Sequence, residues 1–451
     1  MLTSPYSRPE FDPYGSNDVP DVDSLHWKAP LAVQPVTGEL QIPGSKSLTN
    51  RELVLAALAD GPSTIKRPLH SRDSRLMIEA LKSLGTDITE VPGEGSFGPD
   101  WQITPNELIG STTIDCGLAG TVMRFMPPVA SLTLGPTTFD GDEGARRRPM
   151  ATTISSLRAL GVDVADEGRG SLPFTGGALT IDASSSSQFV SGLLLSAARF
   201  ENGLDLTHSG ERLPSLPHIE MTIEVLRARG VEVDSPEVGR WIVKPSPISA
   251  IDVQIEPDLS NAAPFLAAAV LTGGSVTISG WPAETTQVGN DLLEILPLFG
   301  ATVSRDGDKV TVTGMSDEAG IPVVQGITLD LTTGGELAPA IVAIAALAST
   351  PSTITGIGHI RHHETDRLAA LANEINKLGG KITELEDGLQ IEPAQLHGGV
   401  WLSYEDHRMA TSGAIIGLVV AGVEVENIGT TSKTLPEFPE LWSALVESSN
   451  S

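Results

Sequence analysis

The stretch SNAAPFLAAAVLTGGSVTIS, residues 260–279, contains the unit from which this chain is built. Ser260-Asn261-Ala262-Ala263 begins a run rich in Ala, Leu and Val that is typical of a buried helix, and Ser275-Val276-Thr277-Ile278 is typical of a strand. A unit of roughly 70 residues with this pattern recurs about six times. The other helices begin near Asn50, Ala119, Ser187, Glu336 and His407. The alternation predicts an α/β (α+β) fold.

A second helix in each unit ends at a glycine, which is the usual residue for a left-handed helix cap. These glycines are Gly85, Gly161, Gly230, Gly300 and Gly379, and a sixth copy is not evident. The residues that follow, such as Val162-Asp163-Val164, alternate as in a half-buried strand. The regular spacing favours a repeat over unrelated helices.

Composition excludes several classes of protein. The 451 residues carry a formal net charge of −28, which disfavours nucleic acid and anionic membranes as partners. A single cysteine, Cys116, allows no internal disulfide and favours a reducing compartment. Apolar runs such as residues 341–348 are too short to span a bilayer. We therefore expect a soluble, cytoplasmic protein.

The length predicts more than one domain, and six units suggest two domains of three. Residues 1–29, rich in Pro and Asp, are typical of a disordered tail. Pro245-Ser246-Pro247 is typical of a linker. We predict an N-terminal domain of residues 44–247 and a C-terminal domain of residues 30–43 plus 248–451. The hinge then lies near 43–44 and 245–249.

Unusual polar residues fall at or near the starts of the apolar helices. They are Arg51, Arg124, Gln188, Glu336 and Arg408. A helix start offers free N–H groups and the positive end of the helix dipole, so it favours anions. Helix starts gathered around one cleft would make an anion-binding enzyme.

Several motifs each have an ordinary structural alternative. Residues 43–51, PGSKSLTNR, resemble a phosphate loop but lack the Walker pattern, and could be a simple helix cap. Arg148 precedes Pro149 and could bind carboxylate or phosphate, or lie in a solvated loop. Residues 184–189, SSSSQF, could recognise phosphate or form a linker. Residues 359–367, HIRHHETDR, could hold a metal, but the flanking arginines disfavour a cation.

Taken in order, these motifs resemble those of the 5-enolpyruvylshikimate-3-phosphate synthase family of enolpyruvyl transferases. The resemblance covers about Leu31 to Leu445 and includes PGSKS, AGTxxR, SSQF, ETDRL, DHR and SKT. It implies a two-domain inside-out α/β barrel, with three βαβαββ repeats in each domain. It also implies a monomer that joins shikimate-3-phosphate to phosphoenolpyruvate and releases phosphate, with no metal or other cofactor.

The resemblance also implies roles for single residues. Shikimate-3-phosphate would bind on the N-terminal domain side, and Glu364 would be the acid/base at the vinyl carbon, with Glu336 and Lys46 as the other catalytic residues. The residues that would hold shikimate-3-phosphate are Lys46, Ser47, Arg51, Ser186, Ser187, Gln188, Ser215, Glu336 and His363. The residues that would hold phosphoenolpyruvate are Lys46, Gly120, Arg124, Arg148, Gln188, Arg367, Arg408 and Lys433.

Four positions depart from the family pattern. Glu336 stands where the family commonly has Asp, His363 where it usually has Lys, His218 where Tyr is common, and Leu118 where Asn is common. An imidazole at 363 would make part of the substrate contact sensitive to pH. Gly120 leaves room beside the phosphoenolpyruvate site, which in the family accompanies inhibition by glyphosate.

Two alternatives come from different classes. The related transferase acting on UDP-N-acetylglucosamine carries a cysteine five residues before the Arg-Pro pair, where this chain has Glu143. The second alternative is a non-catalytic anion-binding scaffold on the same fold, which would bind without turnover. Lys46, Glu336 and Glu364 together argue against the scaffold.

Overall fold

The computed structural model describes residues 26–146, 148–164, 177–184, 186–210, 213 and 215–450. Helices and strands alternate along the chain, so the predicted mixed α/β content is confirmed. The helices are α1 Lys46–Ala57, α2 Arg72–Ser83, α3 Gly120–Ala130, α4 Glu143–Arg146, α5 Ala151–Ala159, α6 Gln188–Ala197, α7 Leu216–Ala228, α8 Ala263–Thr272, α9 Leu292–Leu298, α10 Ala338–Ala346, α11 Arg367–Lys377, α12 His407–Val419 and α13 Phe438–Asn450.

The strands are short, and the described residues arrange them in six small sheets. They are β1 His26–Lys28, β2 Thr37–Gln41, β3 Ser63–Lys66, β4 Asp87–Val91, β5 Asp100–Thr104, β6 Thr112–Asp115, β7 Thr137–Asp140, β8 Gly177–Ile181, β9 Leu204–His208, β10 Val233–Glu237, β11 Arg240–Val243, β12 Val253–Gln254, β13 Ser275–Ser279, β14 Thr302–Asp306, β15 Lys309–Thr313, β16 Thr328–Asp330, β17 Ser352–Thr355, β18 Lys381–Leu385, β19 Gly388–Glu392, β20 Gly399–Trp401 and β21 Val423–Glu426.

The sheets fall into two groups, one formed by strands β3–β12 and the other by β1, β2 and β13–β21, and we call these groups the first and second halves of the molecule. The first half has the strand orders β12-β3-β5-β4, β6-β7 and β10-β11-β9-β8, and the second has β14-β15-β13-β2, β16-β17-β19-β18 and β1-β21-β20. Four of these sheets contain an antiparallel hairpin beside a parallel strand, as in β2, β13, β15 and β14. The repeating unit of the sequence is therefore visible as a repeating sheet.

Two separate clusters of buried side chains form the cores of the two halves. One contains the apolar residues of α1, α3 and α6, and the other those of α8, α10 and α12. Every residue of α8 is buried, as expected for a helix that is apolar on all sides. Among the described residues, the structure contains no helix with the length and apolar character needed to span a membrane.

The predicted helix caps are confirmed. Gly85, Gly161, Gly230, Gly300 and Gly379 all have positive φ, between 78° and 104°, at the ends of α2, α5, α7, α9 and α11. A side chain is strained in this region, so glycine is favoured there. The missing sixth copy is α13, which runs to Asn450 and has no following glycine stop in the described chain.

Two local predictions were wrong. Val162–Val164 is not a strand, and residues 165–176 lie outside the described residues. The first apolar helix begins at Lys46 and not near Asn50, because the side chain of Ser45 accepts a hydrogen bond from the Leu48 N–H and caps the helix there.

The predicted domain border at 247 also needs correction. Strand β12 pairs in parallel with β3 of the first half, and Ile248 and Ile255 are buried in the first core. The second crossover therefore lies later, where Pro257 forms a bridge with Gly44. Strand β2 pairs in parallel with β13 of the second half.

The prediction that residues 1–29 form a disordered tail is wrong for residues 26–29. Strand β1, His26–Lys28, pairs with β21, and the N–H of Ala29 donates to the carbonyl of Val423. These backbone hydrogen bonds order the segment despite its polar composition. Residues 1–25 lie outside the described residues.

Candidate active site

A cleft lies between the two halves, and helix starts from both halves supply its walls. Its sides are polar, and most of the predicted site residues line it. The lining residues are Lys46, Ser47, Thr121, Arg124, Arg148, Pro149, Ser186, Ser187, Gln188, Ser215, His218, Asp258, Glu336, His359, His362, His363, Glu364, Arg367, His407, Arg408 and Thr434.

The start of α1 is held by carboxylates from two places. The backbone N–H of Lys46 donates to Oδ2 of Asp258 at 3.2 Å, and Asp258 belongs to the second half. The Lys46 ammonium lies 3.6 Å from Oδ2 of Asp73, whose side chain is buried at the start of α2. Sequence reasoning missed both aspartates, since neither belongs to a motif. They fix the lysine at the junction of the two halves.

Arg51, which the resemblance assigns to shikimate-3-phosphate, is surrounded by acceptors of the protein itself. Its guanidinium is buried, and all three nitrogens donate to protein oxygens, including the Ser47 carbonyl at 2.9 Å and the His218 carbonyl at 2.9 Å. Burial lowers the pKa of Arg51 to about 9. In this structure Arg51 therefore lies beneath the cleft and supports two residues that line it.

Arg124 is buried and has no carboxylate partner among the described residues. Its Nη1 donates a long bond to the Gly120 carbonyl at 3.4 Å and a weak one to Sδ of Met123 at 3.9 Å, and its Nε has no hydrogen-bond partner. The guanidinium carbon lies 5.6 Å from the centre of the Phe189 ring. Burial, together with the nearby charge of Arg148, lowers the pKa of Arg124 to about 9. Such an unpaired buried cation is costly unless an anion joins it.

Gly120 lies against the ends of two side chains that are predicted to bind substrate. A Cβ placed on Gly120 would come within 3.1 Å of both terminal nitrogens of Arg148 and of Oε1 of Gln188. The Arg148 guanidinium is also held by the Leu118 carbonyl, to which Nη1 donates at 3.3 Å. The glycine therefore keeps space open where these groups converge.

The serine-rich segment leads directly into α6, as predicted. The hydroxyl of Ser186 accepts a hydrogen bond from the Gln188 N–H at 3.2 Å, and Ser187 is the N-cap residue. Ser215 occupies the N-cap position of α7 with φ of +53°, in the left-handed region, and its side chain makes no capping hydrogen bond. Its N–H approaches the Thr332 carbonyl of the second half at 3.5 Å. The linker alternative is thereby excluded for Ser186 and Ser187.

Glu364 occupies the centre of an ionic cluster. The Lys433 ammonium donates to its Oε1, and Arg367 donates to its Oε2 at 2.9 Å. Arg367 is itself held by buried Asp406, with an Nε–Oδ2 distance of 2.7 Å. Burial alone would raise the pKa of Glu364, but the charges of Lys433 and Arg367 hold it well below its usual value.

Glu336 is the second carboxylate of the cleft. Its Oε2 accepts a hydrogen bond from Arg408 at 3.1 Å, and its Oε1 lies 3.4 Å from Nε2 of His218. Burial would raise its pKa, but His218, Arg408 and Lys46 together lower it strongly. Both carboxylates are therefore ionised at neutral pH.

His363 does not act as a charged substitute for the family lysine. Its Nδ1 accepts a hydrogen bond from Arg367 at 3.0 Å, and burial together with that charge lowers its pKa well below the usual value. The ring is thus neutral near pH 7. Among the described residues, no group of three His, Cys, Asp or Glu side chains is arranged to hold a metal ion.

The cleft combines several cationic side chains that face the same space with two carboxylates that have different neighbours. Fixed cations can hold two anionic ligands together, and positioned carboxylates can move protons between them. Sequence reasoning missed several lining residues, including His407, although this one lies within the quoted DHR motif. The ring of His407 is buried, and burial is the main cause that lowers its pKa well below the usual value. The ring is therefore neutral.

Comparisons with known proteins identify the family. Residues 31–442 match the family model described as EPSP synthase (3-phosphoshikimate 1-carboxyvinyltransferase). A 3-phosphoshikimate 1-carboxyvinyltransferase of Kocuria rhizophila is 55% identical over 436 residues, which are 94% of this chain and 97% of the relative.

Solved structures support the fold. EPSP synthase from Acinetobacter baumannii superposes with a TM-score of 0.73 at 22% identity, covering 94% of this chain and 97% of that chain. The enolpyruvyl transferase NikO from Streptomyces tendae superposes with a TM-score of 0.68 at 15% identity, covering 92% and 96%.

Proposed function

The chain belongs to the EPSP synthase family, and on this premise we propose how its cleft transfers the enolpyruvyl group of phosphoenolpyruvate to the 5-hydroxyl of shikimate-3-phosphate. The observation that carries the proposal is Glu364, a buried carboxylate held by Lys433 and Arg367 in a cleft lined by arginines of both halves. The activity is that of a transferase of the shikimate pathway.

The reaction is an addition followed by an elimination. In the addition, the 5-oxygen forms a bond to C2 of phosphoenolpyruvate, the hydroxyl proton leaves to a base, and C3 receives a proton to become a methyl group. In the elimination, the methyl group returns a proton, the double bond reforms, and the bond from C2 to the phosphate oxygen breaks. Phosphate leaves with that electron pair. The steps need proton donors and acceptors and no oxidant.

The two substrates are assigned to different parts of the cleft. We assign shikimate-3-phosphate to the serine-bearing helix starts of the first half and phosphoenolpyruvate to the cations between the halves. The first group is Lys46, Ser47, Ser186, Ser187, Gln188, Ser215, Glu336 and His363, with Arg51 acting from beneath. The second group is Lys46, Gly120, Arg124, Arg148, Gln188, Arg367, Arg408 and Lys433.

Glu364 is the proposed acid at the vinyl carbon. Its cationic neighbours keep it ionised. Phosphoenolpyruvate brings a phosphate and a carboxylate to those same cations, and this negative charge opposes their effect on the carboxyl. The pKa of Glu364 therefore rises on binding, so that it can hold the proton that it gives to C3.

Glu336 is the proposed base for the 5-hydroxyl, and Lys46 stands between the two substrates. Lys46 is placed to neutralise charge that develops on the oxygens. We also propose that the two halves form the inside-out α/β barrel of the family and close on the substrates, with a monomer as the working unit in the cytoplasm.

The position and burial of the single cysteine argue against transfer to UDP-N-acetylglucosamine. Cys116 is buried, and burial together with nearby Asp115 raises the pKa of its thiol to about 12. Glu143 stands at the loop position where the sister family has its cysteine.

Phosphate release tests the proposed function directly. Purified protein is mixed with phosphoenolpyruvate and shikimate-3-phosphate, and a parallel sample contains UDP-N-acetylglucosamine instead. We expect release only with shikimate-3-phosphate. Release only with the sugar nucleotide would move the chain to the sister activity, and binding without release in either sample would favour a scaffold.

Gly120→Ala is expected to raise the KM for phosphoenolpyruvate by about tenfold, with a smaller effect on kcat. The new Cβ would press on the tips of Arg148 and Gln188, which must move by a few tenths of an ångström. Steady-state kinetics check the change. The same variant should weaken competition by glyphosate against phosphoenolpyruvate. An unchanged KM would show that these tips are not substrate ligands.

A further inference from the structure

His218 and Glu336 approach each other across the cleft from different halves. Nε2 of His218, on α7, lies 3.4 Å from Oε1 of Glu336, which precedes α10. Their side chains are 18% and 22% exposed, so both are partly withdrawn from water while still facing the cleft. This pair joins the first half to the proposed base of the reaction.

The backbone holds His218 firmly on its side of the cleft. Its carbonyl oxygen accepts hydrogen bonds from Arg51 at 2.9 Å and from the Thr222 hydroxyl at 2.9 Å. At the same edge, the Ser215 N–H approaches the Thr332 carbonyl at 3.5 Å. The start of α7 therefore meets the segment before α10 at two points, and His218 is one of them.

The two oxygens of Glu336 are divided between the halves. Oε2 accepts from Arg408 of the second half at 3.1 Å, and Oε1 faces His218 of the first. The charge of Lys46 also acts on this carboxylate, and Arg51 and Arg367 lie within electrostatic reach. With one partner on each oxygen, the plane of the carboxylate is fixed only when the two halves are together.

We propose that His218 is the positioning residue for Glu336, donating from Nε2 to Oε1 and so aiming the carboxylate at the 5-hydroxyl when the cleft is closed. The proposal rests on the proposed function for the role of Glu336 as base. His218 itself takes no proton from substrate. Its effect is on geometry, where a small displacement of a base is costly in rate.

The two residues also compensate for each other in length. By the resemblance described above, Glu336 and His218 stand where the family commonly has Asp and Tyr. A tyrosine hydroxyl reaches farther from the backbone than an imidazole nitrogen, and an aspartate is one methylene shorter than a glutamate. The span between α7 and the start of α10 can therefore be bridged by either matched pair. A mixed pair would leave a gap or a clash.

The test is a double-mutant cycle of wild type, His218→Tyr, Glu336→Asp and the double variant. Each single exchange is expected to lower kcat by about tenfold, because the carboxylate is displaced or out of reach. The double variant is expected to return to within about threefold of wild type. The KM for phosphoenolpyruvate should stay near the wild-type value in all four proteins, since its cations are untouched.

Two results would overturn the proposal. One is an additive cycle, in which the double variant loses as much as the two single losses combined. The other is a His218→Tyr variant with normal kcat, since the contact would then not position the base. Glu220→Gln is the matched control, because Glu220 lies on α7 and faces solvent.

If His218 does not position Glu336, the result differs from the one expected if the proposed function is wrong. The wild-type rate of phosphate release tests the reaction, whereas the coupling between positions 218 and 336 tests whether His218 positions Glu336. If wild type does not turn over, calorimetric affinity for shikimate-3-phosphate is measured in the same four proteins. Rescue in the double variant would then support the matched pair, and its absence would overturn it. Thermal melts confirm that all four proteins fold.

Discussion

Glu364→Gln is expected to lower kcat by about two to four orders of magnitude, with a much smaller change in the KM for either substrate. Glutamine has nearly the same shape and keeps an oxygen near Lys433 and Arg367, but it cannot supply the proton that C3 requires. Steady-state phosphate release with both substrates measures the change. A near-normal kcat would remove Glu364 from its role as acid.

Asp366→Asn is the control for this substitution. Asp366 lies two residues away, and its side chain caps α11 by accepting from the Ala369 N–H at 3.1 Å. Its side chain is 42% exposed and is not among the lining residues of the cleft. Asparagine can make the same cap. We expect normal kcat for this variant, so a general disturbance of the segment would be recognised.

Arg124→Met should reduce kcat/KM for phosphoenolpyruvate by about 100-fold or more, since a buried charge-assisted contact is worth roughly 3 kcal/mol. The same substitution should not lower the thermal midpoint of the free protein. Arg124 forms no ion pair among the described residues, although Glu364 acts on it from a distance, so methionine removes a buried charge that is only weakly compensated. Kinetics and a thermal melt together check the two opposite expectations.

Arg229→Met is the matched comparison, because Arg229 is equally buried but paired. Its Nη2 donates to Oε2 of Glu52 at 2.7 Å, away from the cleft. Removing it leaves a buried carboxylate alone, which costs about 3–5 kcal/mol of the free energy of unfolding. We expect a lower thermal midpoint with normal kcat for the folded protein. The account would be contradicted if Arg229→Met were stable but inactive and Arg124→Met were unstable.

The repeats could be predicted because each rests on local chemistry. Glycine caps such as Gly85 and Gly300 are local, and so is the apolar run of α8. The helix starts carry Arg124 and Arg408, which the dipole argument indicates as anion-binding positions, and the family resemblance implies that they share one site. The site motifs were therefore accessible to sequence reasoning.

Features that depend on tertiary contacts were not accessible. Strand β12 has only two residues, so its pairing with β3 and the later domain crossover left no periodic signal. The direction of the Arg51 guanidinium depends on acceptors from α7. The low pKa of Glu364 depends on how close Lys433 comes, and the sequence separates the two widely.

The measurement that tests the central claim most directly is the turnover of both substrates in D2O, with mass spectrometry of the product. Addition followed by elimination passes through a methyl group that takes one hydrogen from solvent by way of Glu364. The account predicts deuterium at the vinyl carbon of the product. Product that forms at a normal rate without deuterium there would contradict the proposed roles of Glu364 and of the tetrahedral adduct.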